Sequence, residues 1–237
     1  MTVNTLPGIA HTVDRLAEKA LSRRDQKPPD ERVLIAISGI PGSGKTTLAD
    51  AVAARIGARY EDGRAGREET VVVVPMDGFH LYRSQLADMP NPEEAIHRRG
   101  AAFTFDAERF HRLVLSLREP LTDTTTTVYA PSFDHALKDP VENDIAVPRE
   151  AGVIIFEGLY LSLDREPWRS AARLMDEIWF VDVDREIARG RLVKRHVASG
   201  IVPDEAAARH RVASTDFRNA DDIIQNRLPV DECIMMQ

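Results

Sequence analysis

The stretch Gly39-Ile40-Pro41-Gly42-Ser43-Gly44-Lys45-Thr46-Thr47 sets three glycines, a lysine and two threonines at fixed offsets. Glycine loses the most conformational freedom on folding, so such a loop is costly. Residues 39–46 fit the spacing G-x-x-x-x-G-K-[ST], in which successive backbone N–H groups turn inward around phosphate oxygens. Lys45 is placed to reach the β- and γ-phosphates of a nucleoside triphosphate, and the Thr46 hydroxyl to ligate Mg2+. A helix starting near Thr46 adds the positive end of its dipole. An ordinary glycine-rich turn would account for the glycines, but not for the lysine and threonine at those offsets. The stretch reads as a phosphate loop, with Thr47 beside it.

Three further stretches carry groups suited to phosphoryl transfer. In VVVVPMDGFH (71–80), Asp77 lies just past the carboxyl end of an apolar run. Ligands of open parallel sheets bind beyond such ends. A carboxylate there can take the proton of a hydroxyl that attacks the γ-phosphate. A turn-forming Asp-Gly pair is the plainer alternative, and these residues alone leave both open. In GVIIFEGLY (152–160), Glu157 ends another apolar run. It is expected to hold Mg2+ through a water or to orient the acceptor, with helix capping as the alternative. DREIARGRLVKRHVASG (184–200) concentrates arginine, and Arg191 and Arg195 fall four apart on one helical face. Arginines stabilise charge on a transferring phosphoryl group. A solvated basic face is the plainer reading for most of them, and Arg195 is singled out as the exception.

Alternating strands and helices must position these groups. Residues 11–24 read as an amphipathic helix, broken by 25–31. Continuous apolar runs at 33–38, 71–76, 153–158 and 178–183 read as strands buried on both faces. Helical patterns cover 46–57, closed by Gly57, and also 106–118 and 184–199. A further helix is expected over 202–214 with Pro203 in its first turn, and 60–69 reads as an exposed loop. The alternation implies an α/β fold with a parallel sheet between helical layers.

Composition bounds the partners. The 237 residues suit a single domain, 1–237, with 1–31 as an N-terminal helix and linker. Lys plus Arg number 31 against 38 for Asp plus Glu, and the net charge of −7 argues against broad nucleic-acid binding. The one cysteine, Cys233, cannot form an internal disulfide. Without a long apolar span or a signal-peptide pattern, no membrane association and a cytoplasmic location are expected.

The phosphate loop, MDGFH (76–80), YAPSFDH (129–135), IFEGLY (155–160) and FVDVDREIARGRLVKRH (180–196) follow one another along the chain. With them the sequence resembles the phosphoribulokinase/uridine kinase/bacterial-type pantothenate kinase family of P-loop kinases, from about Val33 to about Ile224. Asp77-Gly78-Phe79 is closer to the pantothenate kinase form of its motif than to the uridine kinase form. HRRGAAFTFDAERF (97–110) and FRNADD (217–222) resemble a less characterised branch of kinase-like proteins in fungi and bacteria. The resemblance implies a P-loop NTPase three-layer α/β/α sandwich with a mostly parallel sheet, a helical lid at 184–215, and use of ATP and Mg2+. It makes Asp77 the general base and puts Glu157 near metal and acceptor. Arg195 would bridge the phosphates from the lid, with Arg191 also on the nucleotide. Tyr129 and His135 fall in the acceptor-site loop, and His80 and Arg98 are further acceptor contacts. For both histidines a hydrogen-bonded surface or core role stays open. Asn219 is expected to touch the adenine.

The expected function is transfer of the γ-phosphate of Mg-ATP to a hydroxyl of a nucleoside-, sugar- or pantothenate-like metabolite. The alternative is a nucleotide-binding regulatory or assembly protein without transfer. A GTPase switch would need an N-K-x-D motif, and the sequence holds no Asn-Lys pair. The expected partner is the small-molecule substrate, with a homodimer as an option. Arg185, Arg189, Arg191, Lys194, Arg195, Arg209 and Arg211 are expected to repel one another until an anion is bound, leaving the lid open.

Overall fold

The computed structural model describes residues 7–61 and 70–236. The start of the N-terminal segment and most of the loop expected at 60–69 lie outside the described residues. Helix α1 (Pro7–Gln26) leads into β1 (Val33–Gly39), and α2 (Lys45–Glu61) follows the phosphate loop. Strand β2 (Thr70–Pro75) ends in a 3-10 turn at Met76–Phe79, followed by α3 (Arg83–Ala87), α4 (Pro92–His97) and α5 (Ala107–Arg118). A hairpin of β3 (Val128–Asp134) and β4 (Asp139–Val147) precedes β5 (Ala151–Gly158), α6 (Trp168–Ala172) and β6 (Glu177–Val183). The chain then runs through α7 (Arg185–Ala198), α8 (Glu205–Arg211), a π turn at Val212–Asp216, α9 (Phe217–Gln225) and β7 (Glu232–Met236).

Five strands form one parallel sheet in the order β2-β5-β1-β6-β7. The two central strands are buried at every residue, as their unbroken apolar runs require. Side chains of β1 alternate between the faces. Leu34 and Ala36 join a core with Ile154, Phe156, Phe110, Val114 and Trp168. Val33, Ile35 and Ile37 join a second core with Val153, Ile155, Trp179, Leu16, Leu48 and Val52. Helices α1 and α2 therefore cover one face and α5 and α6 the other, which is the expected three-layer α/β/α sandwich. No helix among the described residues is long and apolar enough to cross a membrane.

Several boundaries differ from the sequence reading. β2 is an edge strand in which Val74 is the buried residue, because only one neighbour covers it. Gly57 does not close α2. Nothing crowds it there, and the helix continues to Glu61. Pro203 precedes α8 rather than opening it, and the Asp204 side chain caps the helix by accepting from the Ala207 N–H at 2.8 Å. The antiparallel hairpin β3–β4 and the edge strand β7 are additional elements.

Candidate active site

The phosphate loop leaves the middle strand and enters α2 at Lys45, in the strand–loop–helix setting its spacing requires. Gly42 takes φ +78, and a Cβ there would lie 2.9 Å from the Ala188 carbonyl oxygen and 3.1 Å from Leu192 Cγ. The loop thus rests directly on α7. From that helix Arg191 Nη1 donates to the Gly42 and Ser43 carbonyls at 3.2 and 3.4 Å. Arg195, one turn further on, is exposed, and its charge reaches Lys45.

Sheet order brings two acids to the loop. Glu157 sits in register with Ile37 of β1 on one side and Pro75 of β2 on the other. Asp77 follows Pro75 by two residues, in the 3-10 turn. A close backbone approach fixes that turn, since a Cβ at Gly78 would lie 2.1 Å from the Pro131 carbonyl oxygen. Thr46 Oγ1 donates to Glu157 Oε2 at 3.2 Å. Glu157 is 6% exposed, and burial pushes its pKa up to about 7. Lys45 opposes that shift, while Asp77 and Asp50 add to it. Burial likewise pushes the Lys45 ammonium down, against the pull of Glu157 and Asp77 and with a further push from Arg195. Lys45, Thr46, Asp77, Glu157 and Arg195 therefore form one electrostatic unit at the carboxyl end of the sheet.

The oxygen donors suit a hard cation. Among the described residues no cluster of three or more His, Cys, Asp or Glu forms a ready cage. A hydroxyl beside a buried carboxylate whose charge is poorly compensated is the partial donor set that Mg2+ uses with phosphates and water. Thr46 and Glu157 fit that role.

His80 lies between the Phe105 and Phe133 rings, with centroids at 4.0 and 4.8 Å. Its Nδ1 is 2.8 Å from the Asp77 carbonyl, which can only accept, so Nδ1 carries the proton. Burial pushes its pKa down, and the ring is neutral with Nε2 as an acceptor. His135 is exposed and packs its ring on Phe133 at 5.3 Å, where its charge is felt by His80. Tyr129 stands 54% exposed on β3, with no hydrogen bond from its side chain to the described residues. Asn219, expected at the adenine, is 3% exposed and spends its amide oxygen on Arg98 Nη2 at 2.8 Å.

Three of the lid arginines, Arg185, Arg189 and Arg209, have partners of their own. Arg185 pairs with Asp221 at 2.6 Å and lies over the Phe217 ring, which Arg189 shares. Arg209 pairs with Glu205. Sequence reading also passed over Arg99, which donates to the Leu81 carbonyl at 2.9 Å and to Asp139 at 2.8 Å, tying the Arg98 segment to the hairpin. The adjacent arginine at Arg98 was its only signal. Tyr160 is likewise buried, with its hydroxyl on the Gly100 carbonyl at 2.7 Å.

Comparison with known proteins matches residues 34–201 to the phosphoribulokinase / uridine kinase family, from β1 to just past α7. The chain belongs to that family. An ATP-dependent kinase-like protein of Aspergillus versicolor is 70% identical over 159 residues, which cover 67% of this chain and 92% of that protein. A Schizosaccharomyces pombe protein provisionally named a uridine kinase is 40% identical over 201 residues, 85% of this chain and 82% of its own. A crystal structure from Silicibacter, provisionally titled a fructose transport system kinase, is 34% identical with a TM-score of 0.79, covering 93% of this chain and 98% of its own. Like its relatives, this family member is a P-loop kinase by fold and sequence, and the family implies ATP, typically with Mg2+.

Proposed function

We propose that this family member transfers the γ-phosphoryl group of Mg-ATP to a hydroxyl of a small sugar-, nucleoside- or pantothenate-like metabolite. The observation that carries the reading is Lys45 flanked by two carboxylates of different character, Asp77 in a turn and Glu157 buried beside Thr46. A nucleotide-binding regulator needs the loop but has no use for a second, turn-borne acid facing the lysine. The relatives named for uridine and fructose both point to hydroxyl acceptors.

In this mechanism the loop amides and Lys45 hold the β- and γ-phosphates. Thr46 and Glu157 would hold Mg2+, which would supply charge neutralisation for the phosphates. Asp77 accepts the hydroxyl proton as the acceptor oxygen bonds to the γ-phosphorus and the bond to the ADP oxygen breaks. Arg195 meets the charge on the transferring group, carried there by a lid of α7 and α8 that excludes water.

The test is ADP release with a panel of hydroxyl compounds, together with ATP binding, for two variants. Lys45→Ala should lose most ATP affinity or turnover. Asp77→Asn should bind ATP normally and lose roughly 10²–10⁴-fold in transfer, the usual worth of a general base. Near wild-type transfer by Asp77→Asn would reduce Asp77 to a turn residue, with Glu157 the next candidate base.

A further inference from the structure

The back of the phosphate loop carries a contact that the transfer mechanism does not use. A trans peptide points its carbonyl away from its N–H, so every N–H turned toward a phosphate leaves a carbonyl turned outward. A carbonyl kept from water needs a donor of its own. The Ile40 carbonyl accepts from the Ser43 N–H at 3.2 Å, and the Gly44 carbonyl accepts from the Leu48 N–H at 3.0 Å in the first turn of α2. Between them, the Gly42 and Ser43 carbonyls both turn to Arg191 Nη1, at 3.2 and 3.4 Å. A Cβ at Gly44 would lie 3.7 Å from the same nitrogen. The guanidinium therefore lies on the carbonyl side of two consecutive loop peptides. Their N–H groups belong to Ser43, which closes the turn on Ile40, and to Gly44, which the same geometry turns to the opposite, phosphate side.

Packing fixes where that guanidinium sits. Ala188, Arg191 and Leu192 share one face of α7, at i, i+3 and i+4. Ala188 and Leu192 are fully buried, and a Cβ at Gly42 would lie 2.9 Å from the first and 3.1 Å from the second. The start of the helix is held by Asp184, which accepts from the Glu186 and Ile187 N–H groups at 2.8 and 3.2 Å. A cation on the carbonyl side of a peptide is aligned with the peptide dipole, whose positive end is the N–H. Arg191 thus favours the arrangement of the loop that presents N–H groups to an anion, and it does so with no nucleotide present.

We infer that Arg191 is a positioning residue for nucleotide binding: from the back of the loop it holds the Gly42 and Ser43 carbonyls outward, and so acts on the phosphates through the loop's own N–H groups instead of touching base or phosphate. The inference rests on the phosphate-loop and kinase reading above. It gives α7 two tasks one turn apart, with Arg191 setting the loop and Arg195 meeting the transferring group.

The experiment compares ATP, ADP and inorganic tripolyphosphate, each with Mg2+, by calorimetry on the wild type, Arg191→Met, Arg191→Lys and Arg195→Met. Hydrogen exchange over 39–46 and 128–147 is measured on the nucleotide-free proteins, and ADP release gives KM and kcat. Arg191→Met should weaken all three ligands by a similar factor, about tenfold, the lower end of what hydrogen bonds from a charged donor contribute. Exchange over 39–46 in the free protein should speed up, while the hairpin at 128–147 stays as in the wild type. The loss should fall on KM for ATP more than on kcat. Arg191→Lys keeps the charge without the fork and should recover part of both effects, and it keeps the test open should Arg191→Met fail to fold. Arg195→Met should leave exchange of the free loop unchanged. Weaker ATP binding with unchanged tripolyphosphate binding would put Arg191 on the base. Weaker binding of all three with unchanged exchange in the free protein would put it on the phosphates. Either result overturns the inference, as does equal loosening of the loop in Arg195→Met, which would mark a general effect of charge on α7. Loss of binding and of loop protection in Arg191→Met, without ADP release for any acceptor, would leave the inference standing and remove the kinase reading. Transfer by the wild type, with Arg191→Met binding all three ligands normally, would do the reverse.

Discussion

Replacing Glu157 by glutamine should make the unliganded protein more stable, and by an amount that grows with pH. Glu157 is 6% exposed, and its carboxylate takes a single side-chain hydrogen bond, from Thr46, among the described residues. Burial, only partly offset by Lys45, lifts its pKa from 4.5 to about 7. At about 1.4 kcal/mol per pKa unit, a shift of that size corresponds to about 3 kcal/mol. A raised carboxyl pKa means that the folded state keeps a proton which the unfolded chain releases from about pH 4.5 upward. Stability must therefore fall as pH rises through the window from 4.5 to about 7 and stay low above it. Glu157→Gln removes that titration. Urea unfolding should find the variant close to wild type at pH 5 and more stable by up to about 3 kcal/mol at pH 8. For a chain of this size the gain amounts to roughly 2–4 °C in Tm per kcal/mol. Mg-ATP should stabilise the wild type more than the variant, because the cation compensates a charge that the variant lacks. A gap that does not widen with pH, or a variant less stable at pH 8, would refute the claim that Glu157 is held as a destabilised acid.

Gly78→Ala would put a Cβ 2.1 Å from the Pro131 carbonyl oxygen and must move either the Asp77 turn or the hairpin. A loss of roughly 1–3 kcal/mol in thermal unfolding is expected, with reduced transfer at normal ATP affinity. Arg195→Ala should lower transfer far more than ATP affinity, since its contact strengthens as charge develops on the phosphoryl group. Hydrogen exchange over 184–215 should slow when an ATP analogue and acceptor bind together, and equal protection in both states would make this segment a fixed face rather than a lid.

The central strands were readable because each is an unbroken apolar run that only a doubly covered position requires, as Leu34 to Ile37 show by filling both cores in turn. The hairpin was not readable. Its strands carry Pro131, Pro140 and a run of polar residues, and their pairing follows from packing on the Asp77 turn rather than from apolar alternation. Strand β7 did show the period-two pattern, with Ile234 and Met236 buried and Cys233 and Met235 exposed, but its five residues are short for a recognisable run. The acid and aromatic partners of Arg185 were not readable for a related reason. Asp221 and Phe217 lie far along the chain from Arg185 and come to it only once α9 packs beside α7.

The same division runs through the site. The phosphate loop is legible because its task is set by backbone geometry within eight consecutive residues, 39–46. Asp77 and Glu157 are legible as acids at the ends of apolar runs, but the sequence does not say that they face one lysine. That follows from β5 lying between β1 and β2, which brings Thr46 and Glu157, 111 residues apart, within hydrogen-bond distance. Arg98 and Asn219, 121 residues apart, are a harder case, for neither ends a strand and neither sits in a motif whose geometry implies the other. Read singly, an arginine suggests an acceptor contact and an asparagine a base contact. Read together, the two form one contact, a cation oriented by a buried neutral amide, and that contact takes the Asn219 amide oxygen away from any base.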